Sequence, residues 1–263
     1  TFPQTLTVTN NYGYGRYGQL DLSNGGRVFN STNGNAKTGQ STITLDDGIS
    51  TQNPADLAYL SSENTRRTGD TVTGLDGIWH VVAKLPMVEP LTVNFTNANS
   101  RAANAQPKDV GGSLRIGGAN VLNYFTNLNT GYSTASGAPR GANSAAELKR
   151  QRDKTANTLS TLNADVLALM EVQNKGDTAL NDIVAALNEK VGAGTYAAIS
   201  TGTVGTDVIK VGIIYKPSKV TPVGNPLIDN NSVNNRPTVA QTFWEKSTGG
   251  VFTVVGNHFK SKG

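Results

Sequence analysis

The 263-residue chain contains no cysteine. That absence removes disulfide frameworks, thiolate zinc sites and cysteine nucleophiles together. Histidine is scarce, with His80 and His258 the only two. No apolar run approaches the length of a membrane span. Charge is sparse as well: Asp, Glu, Lys and Arg make up 16% of residues, and Asn, Thr, Ser and Gly supply the remaining polarity. Such a composition fits a weakly charged protein of the extracellular space or cell surface. The chain opens at Thr1 with neither a basic segment nor an apolar targeting core, so the expectation is a chain from which any signal segment has been removed.

What charge there is lies unevenly. Residues 1–110 carry 8 Lys and Arg against 9 Asp and Glu, whereas residues 111–263 carry 15 against 10. The basic excess in the later part permits a polyanionic partner without requiring one.

Patterning divides the chain in the same way. Segments 18–27, 41–45 and 70–84 are Thr-, Val-, Leu- and Ile-rich runs bounded by Asn, Gly and Asp. They predict a small all-β module over 1–93, with a turn near 54–60. Residues 94–112 lose this pattern and read as a linker. After Gly112, strands alternate with helices. Ser144 with Glu147 forms a capping-box signature, and Ala145, Leu148, Ala156, Leu159 and Leu162 share one helical face. Leu180, Ile183, Val184, Leu187 and Val191 outline a second helix stopped by Gly192. Strands are expected at 114–120, 165–170, 208–215, 239–244 and 251–257. The fold class is therefore α/β over 113–263, preceded by the β module.

Three of these strands deliver polar residues at their C-terminal ends: Asn120, Glu171, and the pair Asn257 and His258. Ligands gather outside strand ends in layered α/β sheets. A carboxylate there can hold a hard cation, a carboxamide can orient it, and an imidazole can serve a developing oxyanion. Each residue also has an ordinary reading. A Glu or Asn after a strand closes loops, and a lone His is commonly structural, which is the reading given to His80.

The wording of the segments adds to this. Asn120-Val121-Leu122-Asn123-Tyr124-Phe125, then Ala164-Asp165-Val166-Leu167-Ala168-Leu169-Met170-Glu171-Val172, then Gly256-Asn257-His258-Phe259-Lys260-Ser261-Lys262-Gly263 occur in one order. Together they resemble the endonuclease/exonuclease/phosphatase superfamily, of deoxyribonuclease I type. The likeness is to its bacterial secreted nucleases, in which an OB-like module precedes the catalytic domain. Leu6-Thr7-Val8-Thr9, Thr44-Leu45-Asp46-Asp47-Gly48 and Gly69-Asp70-Thr71-Val72-Thr73-Gly74 look like that module. The resemblance implies a layered deoxyribonuclease I-like α/β sandwich and hydrolysis of nucleic acid, mainly DNA, with Mg²⁺ or Ca²⁺ as cofactor. It also implies that Glu171 binds the metal, Asn120 lies beside it and His258 contacts the scissile phosphate. Arg236, Asn257 and Lys260, with Lys262, become substrate contacts, and Asp207 falls where an acid is common. An Arg suits a phosphate because its planar fork binds two oxygens.

Two departures accompany the likeness. Gly117-Gly118-Ala119 precede Asn120 where the superfamily commonly has a bulkier Ser-Phe. Its later Asp-x-Asn and Asp-His residues have no counterpart before Gly263, so the expectation is that a remainder of the same polypeptide carries them. Two other functions fit the composition. One is a phosphomonoesterase or lipid phosphodiesterase of the same superfamily. The other is a non-catalytic binding module, using Tyr12, Tyr14, Tyr17 and Arg16 as a stacking platform.

Overall fold

Alternation of apolar and polar residues closes the first of two units, Thr1–Pro107, into a barrel. The computed structural model describes residues 1–28, 42–105, 108–130 and 140–260. In the first unit they form β1 (Leu6–Asn10), α1 (Tyr14–Tyr17), β2 (Leu20–Asn24), β3 (Thr42–Leu45), β4 (Thr71–Val82) and β5 (Leu85–Thr96). The closed order is β1-β2-β3-β5-β4, in which β3 and β5 run parallel and β1 returns to β4. Leu20, Leu22, Ile43, Leu45, Val72 and Val88 fill the interior at every second position. Strand β5 was not expected, and it takes the first residues assigned above to the linker. Ser41, at the start of an expected strand, lies outside the described residues.

Tyr14 does not form a stacking surface. It is buried, and its hydroxyl donates to the Ala58 carbonyl at 2.5 Å. His80 sits across the β4–β5 hairpin from Glu89, with Nδ1 3.5 Å from Oε1.

The second unit, Lys108–Gly263, is mixed α/β. Its elements are β6 (Ile116–Tyr124), α2 (Ala145–Leu162), β7 (Val166–Gln173), α3 (Thr178–Val191), β8 (Ala197–Ala198), β9 (Ile209–Tyr215), β10 (Val220–Asp229), β11 (Thr238–Glu245) and β12 (Val251–Gly256). One sheet has the order β6-β7-β9-β8 and the other β10-β11-β12. Helix α2 is the crossover between the parallel neighbours β6 and β7.

Strand β7 shows why its sequence reads as one apolar run. Leu167 and Leu169 pack with Leu159, Leu180 and Ile183 of the helices. Val166 and Met170 instead join Val239, Phe243 and Val254 between the sheets. Both faces are covered, so both are apolar.

The capping box differs from expectation in one arm. Ser144 Oγ accepts from the Glu147 amide at 3.2 Å, but Glu147 Oε2 reaches back to the Asn143 amide at 2.7 Å. Helix α2 ends at Asn163, which adopts φ +48°, and α3 ends at Gly192. Strand β10 was not anticipated; its apolar residues are interrupted by Pro222, Gly224 and Pro226.

Candidate active site

The site grows from a mismatch of register. From Leu169 to Val172, β7 uses three steps where β9 uses two, from Gly212 to Lys210. The extra residue is a β-bulge. It lets Val172 return to the helix-side core with Leu169 and turns Glu171 out of the alternation. Glu171 has φ +67°, a left-handed conformation that is uncommon for a non-glycine residue and costs about 1–3 kcal/mol.

On the neighbouring strand, β6 spends four steps from Asn120 to Tyr124 against two on β7. Asn120 was expected at the end of its strand; it lies instead at the start of this looped-out stretch. Its Oδ1 accepts from the Leu122 amide at 2.8 Å, and the turn places Leu122 and Asn123 at φ +53° and +49°. Gln151 of α2 pins the turn from outside, donating to the Val121 and Leu122 carbonyls at 3.2 and 2.7 Å.

These two irregularities meet at one carboxylate. Asn120 Nδ2 donates to Glu171 Oε1 at 2.7 Å, and the Asn123 amide donates to Oε2 at 2.9 Å. Asn120 therefore orients the carboxylate, while its own oxygen is committed to the turn. His258 follows β12, with Nε2 3.7 Å from Glu171 Oε1. That separation is too long for a hydrogen bond and short enough for attraction. Burial first, then the nearby Arg236, lowers the His258 pKa below its usual value against the pull of Glu171 and Asp207. Burial and Arg236 both favour the uncharged imidazole.

Gly256 makes this approach possible. A Cβ there would lie 2.7 Å from Val211 Cγ1 and 3.3 Å from Ala168 Cβ, so only glycine lets β12 pack this closely on β7 and β9.

Arg236 donates through Nε to Asp207 Oδ2 at 2.9 Å, and its side chain is 14% exposed. Asp207 is in turn held by Asn174, whose Nδ2 donates to the Asp207 and Val204 carbonyls at 2.8 and 2.7 Å. Arg140 stands 3.9 Å from the other Asp207 oxygen. Asn257 turns to Thr238, accepting from its hydroxyl at 2.7 Å, and Lys260 is exposed. Neither joins the Glu171 cluster through a hydrogen bond among the described residues. Lys262 lies outside them.

The donor set suits a hard divalent cation. Each Glu171 oxygen accepts one N–H and retains a lone pair, and hard cations take oxygen ligands. Among the described residues, no three His, Cys, Asp or Glu side chains cluster to hold a metal ion. A cation at Glu171 would therefore complete its shell with water or substrate oxygens, as Mg²⁺ does. A groove of about 470 Å³ opens beside Asn120 and Leu122, with Arg150 and Lys154 of α2 on its wall.

Asn123, Gln151, Asn174 and Arg140 were not singled out from sequence. Asn123 was quoted within its segment, but a bulge gives no sequence period by which to find it.

No protein-family model matches the chain, and no curated protein does. Solved structures similar to it include a humanized D. rerio TDP2 carrying 14 mutations, at 15% identity and TM-score 0.37, covering 57% of this chain and 48% of that one. The human Nocturnin catalytic domain with bound sulfate is 16% identical, with TM-score 0.32 and coverage of 43% and 44%. An endonuclease/exonuclease/phosphatase from Bacteroides vulgatus is 16% identical, with TM-score 0.35 and coverage of 56% and 52%. The chain spans about half the length of each of these structures or less.

Proposed function

We propose that the chain belongs to a secreted, divalent-cation-dependent phosphodiesterase of the endonuclease/exonuclease/phosphatase class that hydrolyses nucleic acid, chiefly DNA. One observation carries the reading: a bulged, strained Glu171 holds its carboxylate between Asn120 and the Asn123 amide, 3.7 Å from His258. Backbone outliers of this kind cluster at functional sites.

When bound, Mg²⁺ or Ca²⁺ supplies charge neutralisation at a phosphoryl oxygen and activates water. The chain's own residues do the rest. Glu171 holds the cation, and Asn120 fixes the carboxylate's direction. His258, poorly solvated, donates a ring N–H as a hydrogen bond to a phosphate oxygen. Arg236, anchored through Nε by Asp207, turns its remaining guanidinium N–H groups to phosphate. Asn257 and Lys260 contribute at the rim.

Arg150 and Lys154 along the groove favour a long polyanion over a single phosphate. The closed order β1-β2-β3-β5-β4, with its parallel β3–β5 pair, supports the OB-like reading of the first unit. Trp244, Val251 and Val255 stand exposed on the three-stranded sheet, which supports a further segment of the same polypeptide as partner. Among the described residues no helix is long and apolar enough to cross a membrane. The extracellular assignment rests on the composition.

Digestion of DNA by the complete polypeptide, with the remainder that carries the further acidic residues, in Mg²⁺ and then in excess EDTA, tests the proposal. Glu171→Gln should nearly abolish cleavage while the fold persists, and His258→Ala should reduce turnover strongly with less effect on metal affinity. Equal cleavage in EDTA, or wild-type rates in both variants, would overturn it.

A further inference from the structure

Four buried side-chain atoms among the described residues lack a hydrogen-bond partner, and two of them lie in this site: Asn123 Oδ1 and His258 Nδ1. Native proteins leave few such groups, and each calls for an explanation. For His258, a proton carrier at a reaction site, the unpaired nitrogen has a use already. For Asn123 it does not.

The backbone amide of Asn123 is bound to Glu171 Oε2 at 2.9 Å. An Asn side chain is short, so its Oδ1 stays in the neighbourhood of that carboxylate. The residue is held there by a turn of two consecutive non-glycine residues with positive φ, tied down by Asn120 and Gln151. Asn123 thus carries a buried amide oxygen without a donor on the same residue whose backbone amide holds the carboxylate. A hard cation resolves both features, because it takes neutral amide oxygens as readily as carboxylates.

Resting on the cation reading above, we infer that Asn123 is a second protein ligand of the divalent cation, giving its Oδ1 beside the Glu171 carboxylate. On this view the two extra residues of β6 are there to bring an oxygen donor.

Calorimetric titration of the full chain with Mn²⁺, without nucleic acid, tests this apart from catalysis. Asn123→Gly is the informative variant, since glycine accepts φ +49° freely and removes the orphaned oxygen. It should keep or raise the thermal midpoint of the metal-free chain and weaken Mn²⁺ binding at least tenfold. Asn123→Asp should bind Mn²⁺ more tightly than wild type, and Glu171→Gln should lose binding. Unchanged affinity in Asn123→Gly, with Glu171→Gln impaired, means that Oδ1 does not reach the cation, and the inference falls while the cation reading stands. Should Asn123→Gly lose its fold, the Asp variant decides, and affinity no greater than wild type overturns the inference. Wild-type affinity in Glu171→Gln, or no Mn²⁺ binding by the wild-type chain, overturns the cation reading and the inference with it.

Discussion

Asn120 Nδ2 and Glu171 Oε1 are joined by a 2.7 Å hydrogen bond across the parallel strands β6 and β7, 51 residues apart in the chain. The bond aligns the carboxylate without adding charge. Partners that orient a metal-binding carboxylate typically carry about 10–100-fold in affinity or activity. Asn120→Ala should therefore lower nuclease turnover by about that factor. Because Asn120 is exposed, its thermal midpoint should change little. A large fall in stability would mean that the turn, and not the carboxylate, depends on this side chain.

Gly256 offers a purely steric test. The added methyl group of Gly256→Ala would meet Val211 and Ala168 in the sheet behind it, and overpacking of this kind costs about 1–3 kcal/mol. Since His258 is two residues further on, the same shift should widen its 3.7 Å approach to Glu171. Urea denaturation should show the loss of stability, and turnover should fall further than stability alone accounts for. Wild-type turnover at reduced stability would show that the position of His258 is not critical.

Much of this site could be read from sequence because apolar runs end at polar residues. Leu167-Ala168-Leu169 announces a strand covered on both faces, and Glu171 interrupts it visibly. What could not be read is the manner of delivery. Glu171 lies within β7, and a one-residue bulge releases it; Asn120 opens a looped-out turn within β6. Bulges break the two-residue period that pattern reading relies on. The same limit hid Asn123. Strand β10 shows no clean period because Pro222, Gly224 and Pro226 interrupt its apolar residues, although proline is tolerated at sheet edges, and β10 is the edge of its sheet.

Asn174 is buried, and the three hydrogen bonds of its side chain hold the backbone of Val204 and Asp207. On the proposed function it would act on substrate through Asp207 and Arg236, so its loss should raise KM for DNA more than it lowers kcat. On the proposed function, Arg236→Ala would remove the phosphate contact itself and should reduce the salt dependence of DNA binding by about one unit of slope. The double variant should be less impaired than the sum of the singles, because both act on one contact. Additive effects would show that Asn174 serves the fold alone.

Beneath the same loop, Lys210 Nζ is 1% exposed and donates to Asp177 Oδ1 at 2.6 Å, to Gly202 O at 2.6 Å and to Thr201 Oγ1 at 3.0 Å. Burial pushes the Asp177 pKa upward, but the bonds from Lys210, Ser200 and the Gly202 amide outweigh it and hold the carboxyl below its ordinary value of 3.8. A folded-state pKa below the unfolded one means that the unfolded chain binds the proton more readily. The stabilisation is therefore complete above about pH 5 and fades as pH falls through 3.8 towards the lowered value. Asp177→Asn leaves the Lys210 ammonium buried without its counter-charge, a change that costs about 3–5 kcal/mol. At pH 7 the variant should unfold at markedly lower urea concentration than wild type, and the gap should narrow steadily below pH 4, where Asp177 of the unfolded wild-type chain begins to take up its proton. Stability curves that run parallel from pH 7 to pH 3 would show that the Lys210–Asp177 pair contributes no ionic stabilisation.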